Sequence, residues 1–189
     1  MTQPRLTVLG GPNGAGKTTL ARSSFTELLD SDHFLNADEI AADINPEAVT
    51  DVSVAAARQL LQQRQEWIEL GKTFVIESTL ASRGLLQSLR MASERGYRIE
   101  LVYLWVSDPD ICIQRIADRV SQGGHYIPPD VVKRRHELGK QMLAAYLDVS
   151  NDTDIFDADG SPRLIARRRH DRWITYNNGP FPLDIAALI

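Results

Sequence analysis

An α/β fold, with a mostly parallel sheet and helices on both faces, is predicted by three observations. Strand-like and helix-like runs alternate along most of the chain; a glycine-rich G-x-x-x-x-G-K-T segment separates the first strand from the first helix; and 189 residues suffice for one domain rather than two. Alternation is informative because parallel strands need long crossovers, which helices supply and lay on the sheet. The expected organisation is therefore a single domain over residues 1–189.

The elements follow in order. Residues Arg5 to Leu9 are aliphatic and β-branched and end at glycines, which reads as a strand; helix formers run from Lys17 to about Leu29. His33 to Asn36 is a second extended piece, leading into a helix near Ala37 that Asn36 or Asp38 could cap. After Pro46 an Ala-, Leu- and Gln-rich helix runs to Leu70, where Gly71 stops it. TFVIES is a buried-strand candidate, SRGLLQSLRMASERG a helix ending at Gly96, and YRIELVYLWV the next strand. DPDICIQRIADRV starts as a helix at Asp108 and Pro109, with proline in the first turn. SQGGHYIPP is a loop, since paired glycines and prolines cannot continue a helix, and helix resumes from about Asp130 to Leu147. The last third reads as short strands around turns at the DG and NNG sites, predicting a β-hairpin on the sheet edge.

Composition narrows the function. With 43% hydrophobic and 24% charged residues the chain resembles ordinary globular proteins. The formal charge of −4 argues against a general polyanion binder. One cysteine forms no internal disulfide, the longest apolar run, LVYLWV, falls short of the roughly 20 residues that span a bilayer, and no signal-like start is present. A cytoplasmic protein is expected.

The chemistry starts at Gly11, Pro12, Asn13, Gly14, Ala15, Gly16, Lys17 and Thr18, with Thr19 following to pack or cap. Backbone N–H groups surround phosphate oxygens only where side chains are small, and the next helix offers its positive end. Lys17 would reach the β and γ phosphates of ATP, and Thr18 would supply a hydroxyl to Mg2+. This makes the fold a P-loop NTPase. The chain is short for a motor or transporter, so a small kinase fits best.

A kinase needs a carboxylate that orients the attacking hydroxyl and takes its proton. Asp38, after the second strand, is assigned that task, with helix capping as the alternative; Glu39 faces solvent. Glu77, emerging with Ser78 and Thr79 from FVI, could bind Mg2+, water or acceptor hydroxyls. Asp108 reads as a cap. Arg115, Arg119, Lys133, Arg134, Arg135 and Lys140 flank the SQGGHYIPP loop and read as a helical lid, about residues 119–136, that closes over the γ-phosphate. His125 has no second ligand at metal spacing and is taken as a loop residue. Five arginines between Arg163 and Arg172 suggest nucleic acid at first sight, but alternate strand residues face opposite sides, so a solvated hairpin is expected and nucleic acid is not. Trp67, Trp105 and Trp173 are expected to pack, with adenine stacking open for an aromatic near the C-terminus.

GGPNGAGKTT, FLNADEIA, FVIESTL, GYRIELVYLWV, RVSQGGHYIPPDVVKRRH and DIFDADGSPRLIARR, in that order, resemble the zeta-toxin-like family of P-loop kinases over about residues 5 to 170. The GGH-x-I-P segment followed by paired arginines is the most specific mark after the phosphate loop. The resemblance implies phosphorylation of the sugar 3′-hydroxyl of UDP-N-acetylglucosamine and restraint by a small antitoxin. It implies that Lys17 and Thr18 handle phosphate and magnesium, that Asp38 is the base, and that Glu77 and Thr79 line the acceptor site. Arg119, with Arg134 or Arg135, matches the family's γ-phosphate arginines. The chain is shorter than the larger toxins and carries Ser78 where many of them have glycine. Two other readings remain open: a polynucleotide or RNA end kinase, and an ATP-binding switch without transferase activity.

Overall fold

The computed structural model describes residues 3–24, 33–45, 52–176 and 179–189. Seven strands form one sheet in the order β2-β3-β1-β4-β5-β6-β7: β1 (Arg5–Gly10), β2 (Phe34–Leu35), β3 (Phe74–Ser78), β4 (Arg98–Trp105), β5 (Asp152–Asp157), β6 (Arg163–Arg169) and β7 (Arg172–Thr175). β1 to β5 pair in parallel, and β6 and β7 close one edge antiparallel. The helices are α1 (Lys17–Ser24), α2 (Ala37–Ile44), α3 (Ser53–Glu69), α4 (Arg83–Glu94), α5 (Pro109–Ser121), α6 (Pro129–Val149) and the short α7 (Leu183–Ala186).

Strand alternation assigns the two faces. Leu6, Val8, Ile99 and Leu101 point to one face, where they pack with Trp67, Leu89, Leu143 and Tyr146 of α3, α4 and α6. Leu9, Val102 and Leu104 point to the other, against Ala21, Cys112 and Ile116 of α1 and α5. Both faces are thus covered, as a parallel sheet requires. α6 contributes Val132 to the second layer and Leu143 to the first, so it passes across the carboxyl ends of the strands, where ligands bind in such sheets.

The elements agree with the sequence pattern, with particular differences. Residues 25–29 of the first expected helix and 46–51 of the third lie outside the described residues. Asp159 and Gly160 do sit in the β5–β6 connection. The β6–β7 turn, however, is made by His170 and Asp171, at φ 50° and 59°, and not by the NNG site, whose Asn177 and Asn178 lie outside the described residues. Two left-handed residues give the twist that a two-residue hairpin needs, and here no glycine supplies them. α7 was not anticipated; its Asp184 accepts from Trp105 Nε1 at 3.0 Å and pairs with Lys140 at 3.2 Å. Trp67 and Trp105 are buried, and Arg168 lies 5.3 Å from the Trp173 ring, so all three tryptophans pack. No helix among the described residues is long and apolar enough to cross a membrane.

Candidate active site

The loop between β1 and α1 is held open by close backbone packing. A Cβ on Gly11, at φ 144°, would stand 2.7 Å from the Leu104 carbonyl oxygen, and one on Gly14, at φ 81°, would stand 2.6 Å from that of Cys112. Only glycine fits at either position. Lys17 is 5% exposed and donates to the carbonyl oxygens of Gly11 and Pro12 at 2.8 and 2.9 Å, so its ammonium lies along the loop. Burial lowers its pKa below the ordinary lysine value, against the opposing pull of Glu77, whose Oε1 is 3.6 Å away.

Glu77, at the end of β3, is the hub of the site. Its Oε2 accepts from Thr18 Oγ1 at 2.8 Å and from Asn36 Nδ2 at 3.1 Å. The other end of the Asn36 amide accepts from the Asp38 backbone N–H at 2.8 Å, which makes Asn36 the cap of α2. The Asp38 carboxylate is therefore not needed at the helix start.

That carboxylate is exposed between two adjoining cavities. One, of about 400 Å3, is walled by Asn36, Asp38, Ser78, Thr79, Arg134 and Arg135. The other, of about 550 Å3, is walled by Gly14, Gly16, Thr18, Thr19, Arg115 and Arg119. Asn13, Lys17, Asp38 and Glu77 belong to both. Of the predicted site residues, Gly11, Pro12 and Ala15 are buried and line neither cavity, and the others border this one cleft.

The basic residues of the expected lid divide into two sets. Arg119 donates to the His125 carbonyl at 2.9 Å, Arg135 donates to Asn13 Oδ1 at 3.2 Å, and Arg134 is exposed on the first cavity's wall. Lys133 and Lys140 are engaged elsewhere, and Arg115, though on the second cavity's wall, is tied to backbone. Arg115 donates to the Ala158 and Asp159 carbonyls at 2.8 Å each, holding the β5–β6 loop, and Lys133 pairs with Asp110 at 2.9 Å. Most of the Arg163–Arg172 run is likewise tied down, with Arg172 exposed: Arg163 pairs with Asp157, and Arg167 and Arg169 both pair with Asp154.

Three residues of the site went unread in the sequence. Gly139 lies inside α6, where a Cβ would stand 2.7 Å from the Thr79 carbonyl oxygen, so it lets the helix close down on the 400 Å3 cavity. A glycine in a helix interior was the available signal, because it costs about 1 kcal/mol there without a packing reason. His136, one turn earlier, is buried with Nε2 2.9 Å from the Val106 carbonyl oxygen and ties α6 to the end of β4. Leu80 is fully buried at φ 60°, its N–H held by Ser78 Oγ at 3.0 Å, and it fills the space beside Gly10.

Comparison with known proteins agrees with this architecture. A protein of Haemophilus influenzae, described only as uncharacterized, is 34% identical over 131 residues, 67% of this chain and 88% of its own length. Among solved structures, one from the PezAT chromosomal toxin-antitoxin system of Streptococcus pneumoniae superposes with a TM-score of 0.62 at 19% identity, over 86% of this chain and 71% of that one. The AvrRxo1-ORF1:-ORF2 structure with ATP gives a TM-score of 0.71 at 16% identity over 93% of this chain, which spans only 61% of that chain's length. The chain thus shares its fold with these structures. The sequence pattern of the zeta toxin family matches residues 1–170, and the chain belongs to that family.

Proposed function

We propose that the chain is an ATP-dependent kinase that transfers the γ-phosphate to a hydroxyl of a nucleotide sugar such as UDP-N-acetylglucosamine. The observation that carries this reading is the pair of adjoining cavities meeting at Lys17, Asp38 and Glu77. ATP takes the cavity bounded by Gly14, Gly16 and Thr18, with Lys17 turning from the loop carbonyls to the β and γ phosphates. The acceptor takes the other, whose volume is in the range of small-molecule sites and whose wall carries Ser78, Thr79, Asn36 and Arg134 for a polyhydroxylated, anionic ligand.

Asp38 orients the acceptor hydroxyl and takes its proton. The hydroxyl oxygen bonds to the γ-phosphorus as the bond from that phosphorus to the β,γ-bridging oxygen breaks, and ADP leaves. Arg119, with Arg134 or Arg135, answers the charge on the transferring group and keeps water out. Thr18 Oγ1 and the Glu77 carboxylate, 2.8 Å apart, are the hard oxygen donors that suit Mg2+, which keeps most of its remaining positions for water and phosphate. When bound, the ion neutralises phosphate charge. Glu77 therefore serves the metal side of the cleft first and the acceptor second.

Pairing of Arg163, Arg167 and Arg169 with aspartates leaves no continuous basic track on the hairpin, which favours a small acceptor over a polynucleotide. Family membership and the likeness to the PezAT structure support restraint by an antitoxin partner. The purified protein, incubated with Mg2+, ATP and a panel of UDP-, GDP- and ADP-sugars, is expected to add one phosphate to a panel member, read by mass spectrometry. A panel that stays unmodified while an oligonucleotide 5′ or 3′ end is labelled overturns the acceptor class.

A further inference from the structure

The two glycines of the Gly123-Gly124 pair have different surroundings. Gly123 sits at φ 88° with open space where a Cβ would be, the left-handed residue that ends α5, and its N–H donates to the Val120 carbonyl. Gly124 is outside the left-handed region, so its backbone conformation does not call for glycine. Space does: a Cβ there would stand 2.5 Å from Arg119 Cγ, 2.9 Å from the Arg119 carbonyl oxygen and 3.1 Å from Arg119 Cδ. The stem of Arg119 lies across the bare Cα, and its guanidinium donates to the carbonyl of the next residue, His125, at 2.9 Å. The Gly124 N–H in turn donates to the Arg119 carbonyl at 2.9 Å.

We propose that Gly124 and the His125 carbonyl form a seat that positions the Arg119 guanidinium toward the nucleotide cavity before ATP arrives. The inference rests on the reading of Arg119 as a γ-phosphate ligand. An unseated arginine would lose rotamer freedom on meeting phosphate; a seated one has lost it already, and the binding contact keeps more of its strength. Gly124 is a positioning residue that acts through Arg119, and it touches no substrate.

The test is a double-mutant cycle of G124A and R119A, reading the ratio of dissociation constants for MgADP and MgATPγS by calorimetry. The ratio isolates the terminal phosphate and needs no acceptor. It should fall about tenfold in R119A, the scale of a hydrogen bond to a charged group. A comparable fall is expected in G124A, and the double variant should fall no further than R119A alone. A purely structural role for Gly124 would instead give additive losses. A G124A ratio like that of the native chain, or an additive double variant, overturns the seat while leaving the γ-phosphate reading of Arg119 standing. An unchanged ratio in R119A overturns both. Should thermal melting show G124A unfolded, R119K asks the same question: lysine lacks the planar fork that spans seat and phosphate together, and the ratio should fall with the fold intact. A native ratio in R119K overturns the seat.

Discussion

In the antiparallel edge, Arg163 meets Asp157 at 2.6 Å, and Asp154 holds Arg167 at 2.8 Å and Arg169 at 3.0 Å. Around the cleft, by contrast, Arg119 donates to a backbone carbonyl and Arg135 to an asparagine amide, with no carboxylate paired to either among the described residues, and Arg134 is exposed. In the densest run Arg163, Arg167 and Arg169 are paired with aspartates, whereas Arg119, Arg134 and Arg135 face the cavities. Positive charge becomes available to phosphate where the protein withholds a carboxylate, which is a property of partners and not of local composition.

The contrast can be tested from either side. The largest effect should come from the cleft: Asp38→Asn keeps the shape and removes the proton acceptor, so transfer should fall on the order of 100- to 10,000-fold. Nucleotide affinity measured by calorimetry should stay put, and an ATP-binding switch would be nearly indifferent. A second handle is Lys17. Because burial lowers its pKa, its charge is lost at a lower pH than that of an ordinary lysine. ATP affinity should accordingly begin to decline on the alkaline side below 10.5, the ordinary lysine value, when followed by titration across that range.

On the edge the expected loss is stability without loss of nucleotide. Burial pushes the Asp154 carboxyl up, but hydrogen bonds from Arg167 and Arg169 outweigh it and hold the pKa below the usual value. With a folded pKa below the unfolded one, the contribution is whole at neutral pH and disappears as pH falls through the folded value. Asp154→Asn should cost about 1–3 kcal/mol at neutral pH, and thermal melts should show the gap to the native chain closing in acid. The smallest effect belongs to exposed Arg172, whose replacement by alanine should change stability by less than about 0.5 kcal/mol and leave transfer alone.

The phosphate loop was legible because its chemistry is local: glycines, Lys17 and Thr18 act within eight residues of one another, between a strand and a helix. The sheet was legible for a similar reason, since β-branched runs and helix formers alternate with clear breaks. The hold of Arg115 on the β5–β6 loop was not legible because its partners, the carbonyls of Ala158 and Asp159, lie more than 40 positions away in sequence and no side-chain pattern announces them. Gly139 and His136 went unread because their partners, Thr79 and Val106, are backbone atoms of other elements. The His170–Asp171 turn was missed because turn chemistry favours glycine and asparagine at such angles, which drew attention to NNG.

Asn36 spans the cleft with a single amide, one end on Glu77 beside the phosphate loop and the other on the first turn of the helix that carries Asp38. A ligand that displaces Glu77 must therefore either break its hydrogen bond from Asn36 or pull on the side chain that caps α2. On the proposed reading, a ligand in one cavity that pulls on this side chain changes the affinity of the other cavity, and by linkage the effect is reciprocal.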